Sequence, residues 1–275
     1  MLSGYLSSMP HLTTGGIVAD DLGSEQMLLQ SAIDIAQKCK ASYLELRHTH
    51  DHGLHLFTRS DKVTALLPVE LDAAVMLDRL NKKTRNLVRK SLSYGMSAAF
   101  GHSELLEEFY GVYRRNMHDL GSPSYARTFF AEILKHFPGT AFICVVRRGE
   151  EVVAAAFVVG FNRTLEVPWA SSVREHFALK PNMFLYWQLL RCAADRGYKW
   201  FDFGRSSIGS GTHQFKMQWG AKEKVLHWNY WLPCSSRVPN RTGVGLKLVS
   251  RVWRHLPLPV TNCLGPYLIR HVSGI

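Results

Sequence analysis

The chain has 275 residues, 46% of them hydrophobic and 11% aromatic, and a formal net charge of +11. That composition excludes a disordered chain and suffices for one large domain or two modest ones with proper cores. No stretch approaches the roughly 20 consecutive apolar residues that span a bilayer. The five cysteines (Cys39, Cys144, Cys192, Cys234 and Cys263) are scattered and odd in number, without a C-x-x-C pair. They argue against a disulfide frame or a zinc site and for a reducing, cytoplasmic setting. The positive charge asks for an anionic partner, with nucleic acid, acidic lipid and phosphorylated small substrates all compatible.

In chain order, residues 4–10 read as a strand end running into a loop. Residues 24–40 read as an amphipathic helix with Ser24 as N-cap and Leu28, Leu29, Ala32, Ile33, Ile35 and Ala36 on one side. Strands follow over 43–47, 54–59 and 62–68. His48, His50, His52 and His55 alternate along a strand-like stretch; with no further ligand set aimed at them, they read as a polar edge strand rather than a metal site. Residues 72–94 read as one helix, because Leu77, Leu80, Leu87, Val88 and Leu92 recur at helical spacing. Arg79, Lys82, Lys83, Arg85, Arg89 and Lys90 cover the rest of it, either as a solvated basic face or as an anion-binding one.

From residue 96 the spacing predicts a strand (96–100), a helix from Ser103 as N-cap to 118, and a helix over 126–136. Three β-rich runs follow (140–147, 151–161 and 164–171), whose separators at Gly149 and Asn162-Arg163 suggest two antiparallel hairpins. Pro181 opens a helix that Gly197 ends. A strand over 198–203, a short helix over 212–217 and a strand over 225–232 complete the order. The sequence implies a mixed α/β fold (an α+β mixed sheet). Beyond Glu223 there is no Asp or Glu. There, 235–240 reads as a linker and 245–256 as a basic amphipathic helix with Val249, Val252, Trp253 and Leu256 on one stripe, broken by Pro257 and Pro259.

The chemistry concentrates in YKWFDFGRSSIGSGTHQFKMQWG, residues 198–220. Asp202 interrupts an apolar strand, Gly204-Arg205 end it, a Ser/Gly run including Ser207 follows, and Lys216 stands between Phe215 and Trp219. The pattern FDFGRS…GSGT…FK…WGA, with Lys82-Lys83-x-Arg85-Asn86-x-x-Arg89-Lys90-Ser91 upstream, resembles the FemAB-like branch of the GNAT acyltransferase superfamily. It is most similar to the members that accompany exosortase (PEP-CTERM) systems, through nearly the whole chain.

The resemblance implies a GNAT fold with an incomplete first GNAT-like domain and a complete second one. The divisions it suggests are 1–70, a basic connecting helix over 71–95, an acyltransferase domain over 96–234 and a tail over 235–275. It implies direct attack by an amine on an activated acyl ester, with no metal. The donor would be aminoacyl-tRNA or an acyl-CoA, and the acceptor an amine of a cell-envelope (peptidoglycan) or exopolysaccharide precursor. Lys216 becomes the stabilising cation, with Arg205 and Asp202 beside it as the catalytic set. Arg174, Lys180 and Asn182 would hold the donor, although this turn lacks the Gly-rich acetyl-CoA signature, which favours an aminoacyl-tRNA donor. Glu45, Arg47, Ser207 and Trp219 are the candidate substrate contacts, and Lys82, Arg85, Arg89 and Lys90 the candidate nucleic-acid or anion contacts. The tail would touch an anionic membrane at its inner face. A second class remains open, a non-catalytic GNAT-fold scaffold in envelope-polymer export.

Overall fold

The computed structural model describes residues 4–233 and 244–269, and the linker expected over 235–240 lies outside them. The strands fall into two sheets. The smaller has the order β1-β2-β11-β3, from β1 (Leu6–Ser7), β2 (Leu44–His48), β11 (His227–Trp231) and β3 (Phe57–Arg59). The larger has the order β10-β4-β9-β8-β7-β6-β5, from β10 (Lys222–Val225), β4 (Lys62–Pro68), β9 (Trp200–Ser207), β8 (Thr164–Ser172), β7 (Glu151–Phe161), β6 (Ala141–Arg148) and β5 (Met96–Gly101). Residues before 70 thus serve both sheets. The small sheet ends in strands of two and three residues, a length that limits edge pairing.

The central meander β5–β8 is antiparallel, as the hairpin signals imply. Asn162 and Arg163 both take positive φ (41° and 65°), the backbone a two-residue hairpin turn of matching twist requires. One face of the sheet is covered by α6 (Pro181–Asp195), on which α3 (Lys82–Leu92) packs; Leu185, Leu189, Leu190 and Ala193 are fully buried there. The other face carries α4 (Leu106–Leu120) and α5 (Arg127–His136) around Phe109 and Phe130, also fully buried. The mixed α/β fold is the expected one, with the element order of the GNAT reading.

Several local expectations need correction. The first helix, α1 (Leu22–Lys38), is capped by Asp21, whose carboxylate accepts from Ser24 N–H at 2.8 Å. A carboxylate satisfies the helix's free amides and also opposes its dipole, so it displaces Ser24 from the role. Leu28 and Ile35 are exposed, leaving Ala36 at the centre of the contact. The single helix over 72–94 is two, α2 (Ala73–Arg79) and α3, because Leu80 turns extended (ψ 143°) to bury its side chain and Asn81 caps α3 through Thr84 N–H at 2.9 Å. Ser103 opens a 3-10 turn, Ser103–Leu105, and is not an α-helix N-cap. His48 sits in an interior strand of the small sheet, buried, so the histidines do not mark a polar edge.

The expected closing strand over 225–232 divides at Leu226 into β10 and β11, one in each sheet. Leu226 is fully buried at the crossing and donates its N–H to Lys62 O at 3.0 Å. The tail forms α8 (Val244–Trp253) and α9 (Leu258–Leu268). The prolines that end α8 also open α9, with Pro257 as cap residue and Pro259 within the first turn. Trp253, Thr261, Gly265 and Ile269 face inward; His118 bonds Leu256 O at 2.9 Å, and Gly265 lies against Ser124.

Candidate active site

The site begins where two neighbouring strands part. β8 and β9 pair in parallel only from Thr164↔Trp200 to Glu166↔Asp202, although both strands run on to Ser172 and Ser207. Each has an extra residue at this point: the register shifts between Phe157 and Val159 opposite β8, and between Thr64 and Leu66 opposite β9. Bulges bend a strand and re-aim its side chains. Gly204 makes the β9 bulge possible, with φ +75° and room so small that a Cβ would stand 2.9 Å from Val167 O.

Side chains fix the bend. Asp202 accepts from Gly204 N–H at 2.7 Å and from the Thr64 hydroxyl. Lys216, on α7 (Gly211–Met217), donates Nζ–H to the carbonyls of Gly204 at 2.8 Å and Arg205 at 2.9 Å. Ser210 caps α7 through His213 N–H. At its other end, Gln218 O accepts from Asn81 and Thr84, each at 3.0 Å, which ties the basic helix α3 to the lysine's helix.

Protonation is displaced here. Glu166 keeps some surface at the cleft, yet burial pushes its carboxyl up to about 7; Asp202 adds to this, and Lys216 and Arg205 oppose it. Burial also raises Asp202, against its bonds to Thr64 and Gly204. Lys216 is brought down to about 8, chiefly by burial, while Asp202 supports its charge. A carboxyl that can take a proton near neutrality thus stands within electrostatic reach of a desolvated ammonium, a combination typical of functional sites.

Arg205 leads to the small sheet. Its guanidinium lies 5.0 Å from the centre of the Trp228 ring, and that of Arg47 lies 4.3 Å from the same ring. Arg47 and Glu45 share one face of β2, bonded to each other at 2.7 Å and almost wholly buried. Tyr230 donates to Glu45 Oε2 at 2.6 Å, and Arg47 also reaches Leu12 O. The β2–β11 register places Trp228 opposite Arg47 and Tyr230 opposite Glu45. Tyr125, buried, feels both Arg205 and Arg47, although desolvation still lifts its hydroxyl to about 12.

The sequence-predicted residues therefore divide. Lys216, Asp202 and Arg205 come together at the splayed strands, and Glu45 and Arg47 join them through Trp228. Ser207 accepts a hydrogen bond from Lys62 farther along β9. Trp219 is core, packed with Tyr186, Phe203 and Phe215. Arg174 lies exposed in the 3-10 segment Arg174–Leu179, and Lys180, in left-handed backbone at φ 58°, precedes Pro181 and half-buried Asn182. Lys82, Arg89 and Lys90 are exposed on α3, whereas Arg85 is drawn to Asp78 at 3.2 Å. Glu166, Tyr125, Trp228 and Tyr230 were missed. Glu166 shows as a lone acid inside an apolar strand, and Trp228 and Tyr230 belong to the aromatic run Trp228-Asn229-Tyr230-Trp231; Tyr125 has no such signal.

His48 sits between Asn229, with Nδ1 to Oδ1 at 2.7 Å, and Ile17 N–H, which it accepts through Nε2 at 2.9 Å. Burial pushes its proton affinity down, and these two bonds suit a neutral ring. No group of three or more His, Cys, Asp or Glu among the described residues is placed to hold a metal ion.

Among solved structures the fold is similar to FemX (TM-score 0.61, 15% identity, covering 82% of this chain and 79% of that one). It is also similar to the C-terminal domain of a putative lysylphosphatidylglycerol synthetase from Agrobacterium fabrum (0.56, 13%, 84% and 78%) and to L-PGS from Bacillus licheniformis (0.55, 15%, 86% and 80%). No curated protein matches the sequence. Residues 77–217, more than half of the chain, match the family model described as an acetyltransferase (GNAT) domain. That span runs from α2 through the splayed strands to Lys216 and its helix, so the parted sheet belongs to the matched region. The chain is a member of the GNAT acetyltransferase family, with an acyltransferase fold.

Proposed function

We propose that this chain is a Fem-type N-acyltransferase, in which an acceptor amine attacks an activated acyl ester at the splayed strands. The observation that carries the reading is the pairing of Glu166 with Asp202 where the strands part, which sets a carboxyl pushed up to about 7 within electrostatic reach of Lys216. A neutral amine forms the new C–N bond at the acyl carbon, and Glu166 receives the proton that the amine must lose. Lys216 and the bulge it braces stabilise the oxyanion: an ammonium has three donors, and two described carbonyls use two of them. Collapse breaks the acyl C–O bond, and the leaving oxygen takes up the proton from Glu166. Asp202 and Arg205 are positioning residues in this scheme.

The donor is aminoacyl-tRNA in preference to acyl-CoA. A pyrophosphate seat at a helix start needs several unspent amides. In the β8–α6 turn, His176 and Lys180 spend theirs on Val173 and Phe177 carbonyls (both 3.1 Å), and Pro181 has none. Exposed Lys82, Arg89 and Lys90 supply phosphate contacts beside the lysine's helix instead. The acceptor is an amine of an envelope or exopolysaccharide precursor, as the exosortase-associated resemblance implies, met at the inner face of an anionic membrane.

Purified protein titrated with charged tRNA and with acetyl-CoA, at low and high salt, tests the donor, and product mass tests the transfer. We expect tRNA binding that falls with salt, at a log–log slope of about −0.7 per phosphate contact on a single strand. Saturable, salt-indifferent acetyl-CoA binding that survives Arg85→Glu/Arg89→Glu would overturn the choice.

A further inference from the structure

A cavity of about 640 Å³ opens between α5, the loop before α1 and α9, a volume within the range of roughly 300–1,000 Å³ of ligand pockets. Phe129, Ile133, Phe137, Pro266 and Ile269 give it mostly apolar walls. His11 and Tyr125 line it as well, their rings 5.2 Å apart in an edge-on contact. Both feel the charge of Arg47, and Tyr125 that of Arg205 as well. Tyr125 also meets Trp169 edge-on at 6.0 Å, and Trp169 lies on β8 just past the point where β8 and β9 part, so the apolar space adjoins the splayed strands.

The outer surface beside it has a matching character. Val249 and Val252 on α8 and Val260, Leu264 and Tyr267 on α9 are exposed, with Arg251 and Arg254 among them. The sequence beyond Glu223 contains no acidic residue. Exposed apolar side chains interleaved with uncompensated cations suit the boundary of an anionic bilayer. A helix packed only against its own domain needs no such outward stripe.

We propose that this cavity takes a single long apolar chain of an anionic, lipid-linked acceptor, whose head group lies toward Arg205 at the splayed strands. This deepens the acyltransferase reading by giving its acceptor a chemical class, and it rests on that reading only for the head group's amine. The chain leaves the bilayer beside α8 and α9, fills the groove along α5, and presents the head at the splayed strands.

Calorimetric titration of the full chain with hexadecyl phosphate below its micelle concentration tests this, with hexyl phosphate and inorganic phosphate as comparisons. We expect hexadecyl phosphate to saturate and hexyl phosphate to bind at least about a hundredfold more weakly, since each buried methylene contributes favourably. Thr128→Trp, at an exposed cavity-lining position of α5, and Ile133→Trp, deeper in the groove, should each weaken hexadecyl phosphate at least about tenfold; the exposed site covers the case in which Ile133→Trp fails to fold. Equal affinity for the two alkyl phosphates, or a hexadecyl phosphate titration unmoved by Thr128→Trp in a folded protein, overturns the inference. Chain-dependent binding without any acyl transfer would support the cavity and sink the proposed function; transfer to a soluble amine with no chain dependence would do the reverse.

Discussion

Two buried acid–base clusters, one in each sheet and linked through the Trp228 ring, have been finished in opposite ways. On β2, Glu45 has one oxygen on Arg47 and the other on Tyr230, and Arg47 continues to Leu12 O and the Trp228 ring. At the splayed strands, Glu166 carries a proton up to about 7, and Lys216 is strained by desolvation toward about 8. The first arrangement matches each charge with a directed partner and locks two strands in register. The second leaves charges near the point of changing hands. A pair that is closed supports a site, and a pair kept between protonation states can work in one.

The sharpest way to break this contrast is Glu166→Gln, which should lower turnover by about 10²–10⁴-fold, the range for a lost general base. The wild-type pH–rate profile should rise through about 7 as Glu166 ionises and fall above about 8 as Lys216 loses its proton, the limbs belonging to the coupled cluster. A profile with an unchanged acidic limb in Glu166→Gln would remove the base assignment. Stability should move the other way on that limb. The folded value is raised above the ordinary 4.5, so the protonated carboxyl's contribution is complete below 4.5 and is lost as pH rises through about 7.

Arg47→Met should destabilise the fold by about 3–5 kcal/mol, because it strands Glu45 as a buried charge. Denaturant unfolding checks this, and a loss under about 1 kcal/mol would mean that the pair is dispensable. Lys216→Met keeps the apolar stem and should cost about 2.7–4 kcal/mol of barrier, with Lys216→Arg recovering only part because a planar guanidinium places its charge differently. Turnover at the wild-type rate by Lys216→Met would reduce the lysine to a brace. The smallest effect expected is on tRNA: Arg89→Glu should weaken binding and flatten its salt dependence by about one contact's slope. An unaltered salt slope would leave α3 a solvated face.

Much of this contrast is legible in the sequence and part of it is not. Lys216, Asp202 and Arg205 stand out because each interrupts an aromatic or small-residue setting, and the hairpin of 151–161 with 164–172 announces itself through turn chemistry at 162–163. Glu166 shows only as a lone acid in an apolar strand, and that signal is weak for a physical reason. One acid in a strand acquires meaning only from Asp202 across a parallel pair, and parallel partners lie far apart in sequence. Trp228 likewise means nothing until the register sets it opposite Arg47. Apolar spacing misled at Leu80 and Leu226, since each keeps its neighbours' hydrophobic pattern while its backbone leaves the element to fill a core position.

The crossing at Leu226 imposes a rule of parity on the molecule. One residue separates β10, anchored on β4 in the large sheet, from β11, anchored between β2 and β3 in the small one. Strand side chains alternate with period two, so adding or removing one residue between Val225 and His227 would exchange the two faces of β11. Trp228 and Tyr230 would turn away from Arg47 and Glu45, and His227 and Asn229 would take their place. The distance between the sheets could tolerate a longer link, but only in steps of two. Counting, rather than composition, protects the contact between the sheets.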